Sequence, residues 1–225
     1  MANVSVRKAK ADPIPLPSEA SREPQQGRSK ASYERMLAAA EKLMVKRGNE
    51  DFTLTEVSKT GKVSIGSIYL RFDSKDDLIR AVHARVLARI DHEQQHMLDA
   101  VQGEDDLDSY ARRFVADYAE LLKSFSPVLR PLMFRAINDN DISQMGRTAA
   151  EKLSLQVRGQ MLRFSGEFGR PDHERLAANA FRMIYCTLAR FLGLGSSPEA
   201  ANEGNWEELK EDLAIMCASF LRAPG

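Results

Sequence analysis

The chain has little of what marks exported, membrane-spanning or cross-linked proteins. Among its 225 residues only two are cysteine, Cys186 and Cys217, both in apolar helical patterns and not in a C-x-x-C pair. A disulfide scaffold is excluded; buried thiols in a reduced, cytoplasmic protein are expected, with a redox-sensing pair as the alternative. No run approaches the roughly 20 apolar residues of a membrane span, so no membrane association is expected. The first residues lack the hydrophobic core of an export signal. Period-2 strand patterns are missing, as are a Rossmann fingerprint, a phosphate-cradling glycine loop and a Ser-His-Asp arrangement. No enzyme activity and no cofactor are expected on these grounds. Net charge is also absent, since 32 Lys/Arg balance 32 Asp/Glu. That balance hides an asymmetry. Residues 1–72 hold 13 basic against 8 acidic side chains, net +5, and the remainder is net −5. A basic first third on an acidic remainder suggests that one end meets a polyanion.

What is present is helix. Hydrophobic residues make up 43% of the chain, enough for a proper core. Residues 1–28 stand apart, with Pro13, Pro15, Pro17 and Pro24 and almost no aromatic groups. Such a segment cannot bury enough apolar surface to offset its ordering entropy. It is expected to be a flexible arm whose Arg7, Lys8, Lys10, Arg22 and Arg28 can touch phosphates, or a solvated tail. A first helix is predicted over 32–47, with Met36, Leu37, Ala40, Leu43 and Met44 on one face and Gly48 as its stop. Thr53 and Glu56 form a capping-box pattern at the start of a short helix that Gly61 ends. Ser64 caps another short helix, and Ser74 opens a longer one to about Val101. Further helices are predicted at about 107–124, 127–137, 142–165, 172–193 and 205–222, separated by Gly, Pro and Asn clusters. The reading is an all-α protein of about nine helices, three short ones in front of six longer ones.

Two short helices joined by a tight turn and braced by a third match a helix-turn-helix. Its second helix must be slim at its amino end to enter a major groove about 12 Å wide. Ser64, Gly66 and Ser67 are small, Ile68 is expected to face the core, and Tyr69 to reach outward. Thr53 and Thr55 begin the preceding helix, where backbone amides favour a phosphate, and Lys75 begins the following one. The candidate DNA contacts are Thr53, Thr55, Lys62, Ser64, Ile65, Gly66, Ser67, Tyr69 and Lys75.

The stretch from Phe52 to Val82, FTLTEVSKTGKVSIGSIYLRFDSKDDLIRAV, resembles the DNA-binding domain of the tetracycline-repressor (TetR) family, and Met36–Gly48, MLAAAEKLMVKRG, resembles that family's first helix. The specific features are V-S-x-G-x-x-Y-x-x-F at 63–72 followed by S-K-x-x-L at 74–78. The turn departs from the family pattern. Gly61-Lys62 stands where Ala-Gly is usual, so Lys62 is expected to take a positive φ, at a cost of about 1 kcal/mol, and Ser58 stands where Ala is common.

The resemblance implies three regions: an arm at 1–28, a helix-turn-helix DNA-binding domain at 29–74, and an effector-binding and dimerisation domain at 75–225. It implies a transcriptional regulator on a palindromic double-stranded operator, more often a repressor, released by a small effector. An apolar pocket is expected, with Phe114, Tyr118, Phe134 and Tyr185 as lining and Arg135, Asn138 and Arg182 as sources of polarity. A homodimer is implied through 172–193 and 205–222. Apolar stripes there agree: Leu176, Ala180, Met183, Ile184, Thr187, Leu188 and Phe191 on one helix, Trp206, Leu209, Leu213, Met216, Cys217 and Phe220 on the other. Two other readings stay open. A constitutive architectural DNA binder would have no effector. A helical metal hydrolase would use His92-Glu93-Gln-Gln-His96, which matches H-E-x-x-H, with Asp117 or Glu120 as a third ligand.

Overall fold

In the computed structural model, which describes residues 27–195 and 201–225, every regular element is helical. A first helix longer than α7 or α8, α1 (Gly27–Arg47), and the short α2 (Leu54–Gly61) and α3 (Ile65–Tyr69) precede α4 (Lys75–Ala100), α5 (Leu107–Arg135), α6 (Asn140–Met161), α7 (His173–Phe191) and α8 (Trp206–Arg222), so only two of the three front helices are short. Turns of 3-10 helix at Val101–Gly103 and Leu162–Glu167 follow α4 and α6. The predicted arm falls outside the described residues up to residue 26, so Arg7, Lys8, Lys10 and Arg22 are not placed; Gly27 already belongs to α1.

Eight α-helices lie among the described residues, in line with the expectation of about nine, and the expected break at Ser126-Pro127 does not occur. A proline inside a helix removes one i→i−4 bond and leaves that carbonyl unserved. Here the Ser126 hydroxyl donates to the Lys123 carbonyl at 2.9 Å, the acceptor that residue 127 would otherwise have used. Phe125, Val128, Pro131 and Leu132 are buried in the same stretch. Burial of that face outweighs the low helix propensity of two prolines, Pro127 and Pro131.

The caps follow the sequence closely. Thr53 accepts from the Glu56 amide at 3.2 Å while Glu56 accepts from the Thr53 amide at 2.8 Å, a complete capping box. Ser64 accepts from the Ser67 amide and Ser74 from the Asp77 amide, each at 3.1 Å. Gly48, at φ +70, ends α1 with a bond from its amide to the Met44 carbonyl.

Two clusters of buried side chains organise the chain. One joins α1–α3 to the first half of α4 around Met36, Met44, Val57, Ile68, Phe72 and Val82, and extends to Leu132 of α5 and Ile142 of α6. The other fills the space among α5–α8, where Tyr110, Phe114 and Tyr118 stack along α5 and Phe181 of α7 packs against them. α4 contributes to both, with Met97 and Leu98 in the second.

This packing narrows one expectation about the last helices and corrects another. Leu176, Ala180, Ile184 and Leu188 of α7, and Trp206, Leu213 and Cys217 of α8, are buried within the chain's own core. About half of each predicted stripe is spent inside the chain, while Met183, Thr187, Phe191, Leu209 and Phe220 stay half-buried. What remains outside on α8 is Ile215, 53% exposed, and Met216, 41% exposed. The thiols also differ. Cys217 is buried, as expected, but Cys186 is exposed on the outer side of α7.

Candidate nucleic-acid interface and ligand cavity

α2 owes its close approach to α1 to Gly61 and its turn into α3 to Lys62. A Cβ on Gly61 would lie 2.9 Å from the Arg35 carbonyl oxygen and 3.2 Å from the Ala39 Cβ, so α1 and α2 meet there through a residue that has no side chain. The left-handed position falls on Lys62, at φ 50 and ψ 48, whose amide bonds back to the Lys59 and Ser58 carbonyls. The Ser58 hydroxyl donates to the Val63 carbonyl at 2.6 Å and fixes the turn's exit. Lys62 is exposed beside α3.

α3 is a five-residue helix held from beneath. Ile68 and Phe72 are fully buried. Arg71 reaches from behind to Ser29 of α1, with its guanidinium 2.5 Å from the Ser29 hydroxyl. The outer side carries Ile65, Gly66, Tyr69 and Leu70, all exposed, Tyr69 by 59% and Leu70 by 69%. A Cβ at Gly66 would meet nothing within 4 Å, so glycine is not demanded by the chain's own packing; it leaves this face bare. Ser64 and Ser67 share a hydroxyl–hydroxyl bond of 2.7 Å, which fixes both side chains at the tip.

The flanking candidates are placed less simply. Thr55 is exposed at the start of α2, while the Thr53 hydroxyl is occupied by the capping box. Arg47 bonds Glu56 at 2.5 Å and holds its carboxyl well below the usual range, locking the end of α1 to the start of α2. The Lys75 ammonium lies 4.9 Å from the centre of the Phe52 ring, a cation–π contact that positions it at the mouth of α4. Leu70, not among the candidate contacts, stands exposed on the same side of the helix. Its signal was its spacing from Ile68 and Phe72, which places it opposite the buried side.

A cavity of about 390 Å³ lies between α4, α5, α6 and α7. Tyr118 and Tyr185 line it, but two of the four expected lining residues do not. Phe114 is fully buried, stacked between Tyr110 and Tyr118 in the core. Phe134 is 74% exposed, because the uninterrupted α5 carries it round to the outside. Arg135, Asn138 and Arg182 are not on the wall either. The cavity exists because α6 faces it with small residues at helical spacing: Ser143, Gly146, Ala149 and Ala150. That stripe was readable in the sequence but not distinguishable from an ordinary close helix contact. The polar groups on the wall are His83, Gln94, Ser143 and Arg147, with the two tyrosine hydroxyls. His83 is 4% exposed, and burial pushes its imidazole down to about 4 against the smaller opposing pull of Asp139.

Beside His83, the ends of four elements meet in one ion network. Arg135 of α5 pairs with Glu50 in the α1–α2 connection at 2.9 Å, with Asp76 of α4 at 2.9 Å, and with Asp139 at 3.3 Å. Arg80 of α4 pairs with Asp139 at 3.2 Å and Asp141 at 3.3 Å. Asp139, its side chain 2% exposed, also caps α6 by accepting from the Asp141 and Ile142 amides.

His92 and His96 share an exposed face of α4, with their Nε2 atoms 3.2 Å apart. The carboxylates expected to complete a metal site are held elsewhere. Asp117 bonds Arg113 at 2.6 Å, and Glu120 accepts from Trp206 and Lys210, each at 2.7 Å. Among the described residues no group of three or more His, Cys, Asp or Glu side chains is placed to hold a metal ion. No helix among them is long and apolar enough to cross a membrane.

Compared with known proteins, residues 36–82 match the amino-terminal domain described as bacterial regulatory proteins, tetR family. No curated protein matches the sequence. Solved structures share the fold at low identity. A protein described as a TetR-family transcriptional regulator from Mesorhizobium loti superposes with a TM-score of 0.68 at 16% identity, covering 87% of this chain and 98% of its own. The fatty acid degradation regulator FadR from Bacillus halodurans gives 0.65 at 11% identity, covering 89% and 99%. A transcriptional regulator from Saccharomonospora viridis, solved in complex with choline, gives 0.63 at 14%, covering 82% and 94%.

Proposed function

We propose that this chain, which carries the amino-terminal domain of the tetR family of bacterial regulatory proteins over residues 36–82, is a dimeric, sequence-specific transcriptional repressor that a small molecule releases from a palindromic operator. The observation that carries the reading is the α3 tip: a short, uncharged, sparsely decorated helix end, braced by Ile68, Phe72 and Arg71, that presents Gly66 and Tyr69 outward. Such a tip fits a major groove, where Ile65, Gly66 and Ser67 face base edges and Tyr69, Lys62, Thr55 and Lys75 reach phosphates. One tip reads too few base pairs, so a two-fold dimer offers two, about 34–36 Å apart.

Regulation follows from the shared position of α4. Its first two turns carry Asp76 and Arg80 of the ion network beneath the DNA-facing unit, and its middle carries His83, Leu87 and Ile90 on the cavity wall. A ligand that spreads α4 from α6 strains the contacts of Arg80 and Arg135, tilts α1–α3, and changes the separation of the two tips. Its effect on operator affinity equals the difference in its own affinity for the two arrangements. A structure of the same fold was solved with choline, so the fold admits small organic ligands.

Selection of bound duplexes from a random pool, at fixed salt, tests the reading. A palindromic consensus is expected, with the Tyr69→Ala chain losing affinity for it while keeping its helix content. A pool that yields no preferred sequence overturns the proposal.

A further inference from the structure

The cavity wall carries a chemical signature beyond its shape. Its body is apolar, built from residues such as Leu87, Ile90, Leu132 and Leu153. One polar atom buried on it, His83 Nδ1, lacks a protein partner among the described residues. An unserved buried polar atom is costly, so this stretch of the wall favours an occupant that is not purely hydrocarbon. The charge on the wall is one-sided. Arg147 of α6 lines the cavity, is exposed at its rim, and makes no ion pair among the described residues. No aspartate or glutamate lines the cavity among the described residues. Asp139, the acid whose charge acts on His83, is committed to Arg80, Arg135 and the α6 amides.

We propose that the cavity takes an organic monoanion, with an apolar body against α4–α7 and a single carboxylate paired with Arg147 at the rim. The proposal deepens the reading of this cavity as the effector site and rests on it. A cation meets no counter-charge here and is repelled by Arg147. A neutral amphiphile gains the apolar contacts only. A carboxylate gains those contacts and a charge-assisted bond to a guanidinium, geometry that arginine supplies in bidentate form.

Titration calorimetry on the full chain, with decanoate, 1-decanol and decyltrimethylammonium below their aggregation limits, varies the head group on a constant tail. Decanoate is expected to bind at least about tenfold more tightly than the other two. The Arg147→Gln chain is expected to bind decanoate no better than decanol, with decanol unchanged. Gly146→Leu fills the cavity and is expected to abolish binding of all three; Ala149→Leu serves if circular dichroism shows that the first variant does not fold. Equal or tighter binding of the neutral or cationic probe, or unchanged decanoate binding by Arg147→Gln, overturns the anion assignment and leaves the cavity reading intact. Decanoate binding that survives both filling variants, or no binding of any probe, overturns the cavity reading as well.

Discussion

At the residue scale, Gly61 and Lys62 show two requirements that glycine usually meets, separated by one position. Gly61 is needed because α1 passes too close for a Cβ, and Lys62 bears the left-handed turn. A non-glycine residue there costs roughly 1–2 kcal/mol, and glycine's greater freedom in the unfolded chain returns roughly 0.5–1 kcal/mol of that. Lys62→Gly is therefore expected to stabilise the fold by about 0.5–1 kcal/mol in urea unfolding. If the ammonium touches a phosphate, the same change reduces the slope of log affinity against log salt by about 1. Higher stability with an unchanged slope would remove Lys62 from the interface. His83 makes a separate prediction. Its folded pKa is depressed to about 4 from a reference of 6.5, so the unfolded chain binds more protons between those values. Its contribution is fully present above pH 6.5, is lost as pH falls toward 4, and reaches an upper bound on the order of 3 kcal/mol. Asp139 faces it with opposite charge and is already counted in that value. His83→Leu should flatten stability against pH between 6.5 and 4, leaving the steeper loss at lower pH, where carboxylates such as Glu56 take up protons. A variant whose acid limb between those values matches the parent's would refute the assignment.

At the element scale, the helices that local chemistry defines were the legible ones. Thr53, Ser64 and Ser74 announce their helices because a side chain two or three residues from its partner amide needs no tertiary context. α5 was not legible, since whether a helix survives Pro127 depends on the Ser126 hydroxyl and on burial of Phe125, Val128 and Leu132, which the sequence does not declare. That one continuity governs the lining: it turns Phe134 outward and leaves Tyr118 on the wall. Counting aromatic residues finds the core, whereas the cavity is marked by where α6 is small. The same ends of α4, α5 and α6 carry the ion network, and Arg135 is its one side chain that reaches the α1–α2 connection, α4 and the α6 cap together. Arg135→Ala leaves Asp139 with Arg80 and the α6 amides, so a loss of roughly 1–3 kcal/mol and a folded chain are expected. Operator affinity without ligand should stay within about threefold of the parent, while the ligand-induced drop in affinity shrinks. Full retention of the ligand response, measured by fluorescence anisotropy of a labelled operator, would show that coupling bypasses Arg135.

At the scale of the whole molecule, the reading requires two tips held at a fixed spacing, and the chain's surface restricts where a second copy can sit. Most apolar residues of α7 and α8 are spent internally, so the outer face available to a partner is narrower than the helical patterns suggested, with Ile215 and Met216 exposed on α8 and Cys186 exposed on α7. Met216 belongs to the predicted stripe, but Ile215 and Cys186 do not, because a single amphipathic stripe cannot state which of two neighbours, its own core or another copy, it is meant for. Their exposure makes them suited to a test. Ile215 is 53% exposed and can accept a charge in the isolated chain at little cost, but two aspartates brought together across a two-fold interface repel and lose water. Ile215→Asp is therefore expected to run as a monomer in sedimentation while melting with the helix content of the parent. Losing the second tip removes the effective-concentration gain of bivalent attachment, so affinity for a palindromic duplex should fall by about 10²–10⁴, while affinity for a half-site duplex changes little. A monomeric variant that kept full affinity for the palindrome would mean that each chain reads its site alone, and the coupling of cavity to tip spacing would lose its basis.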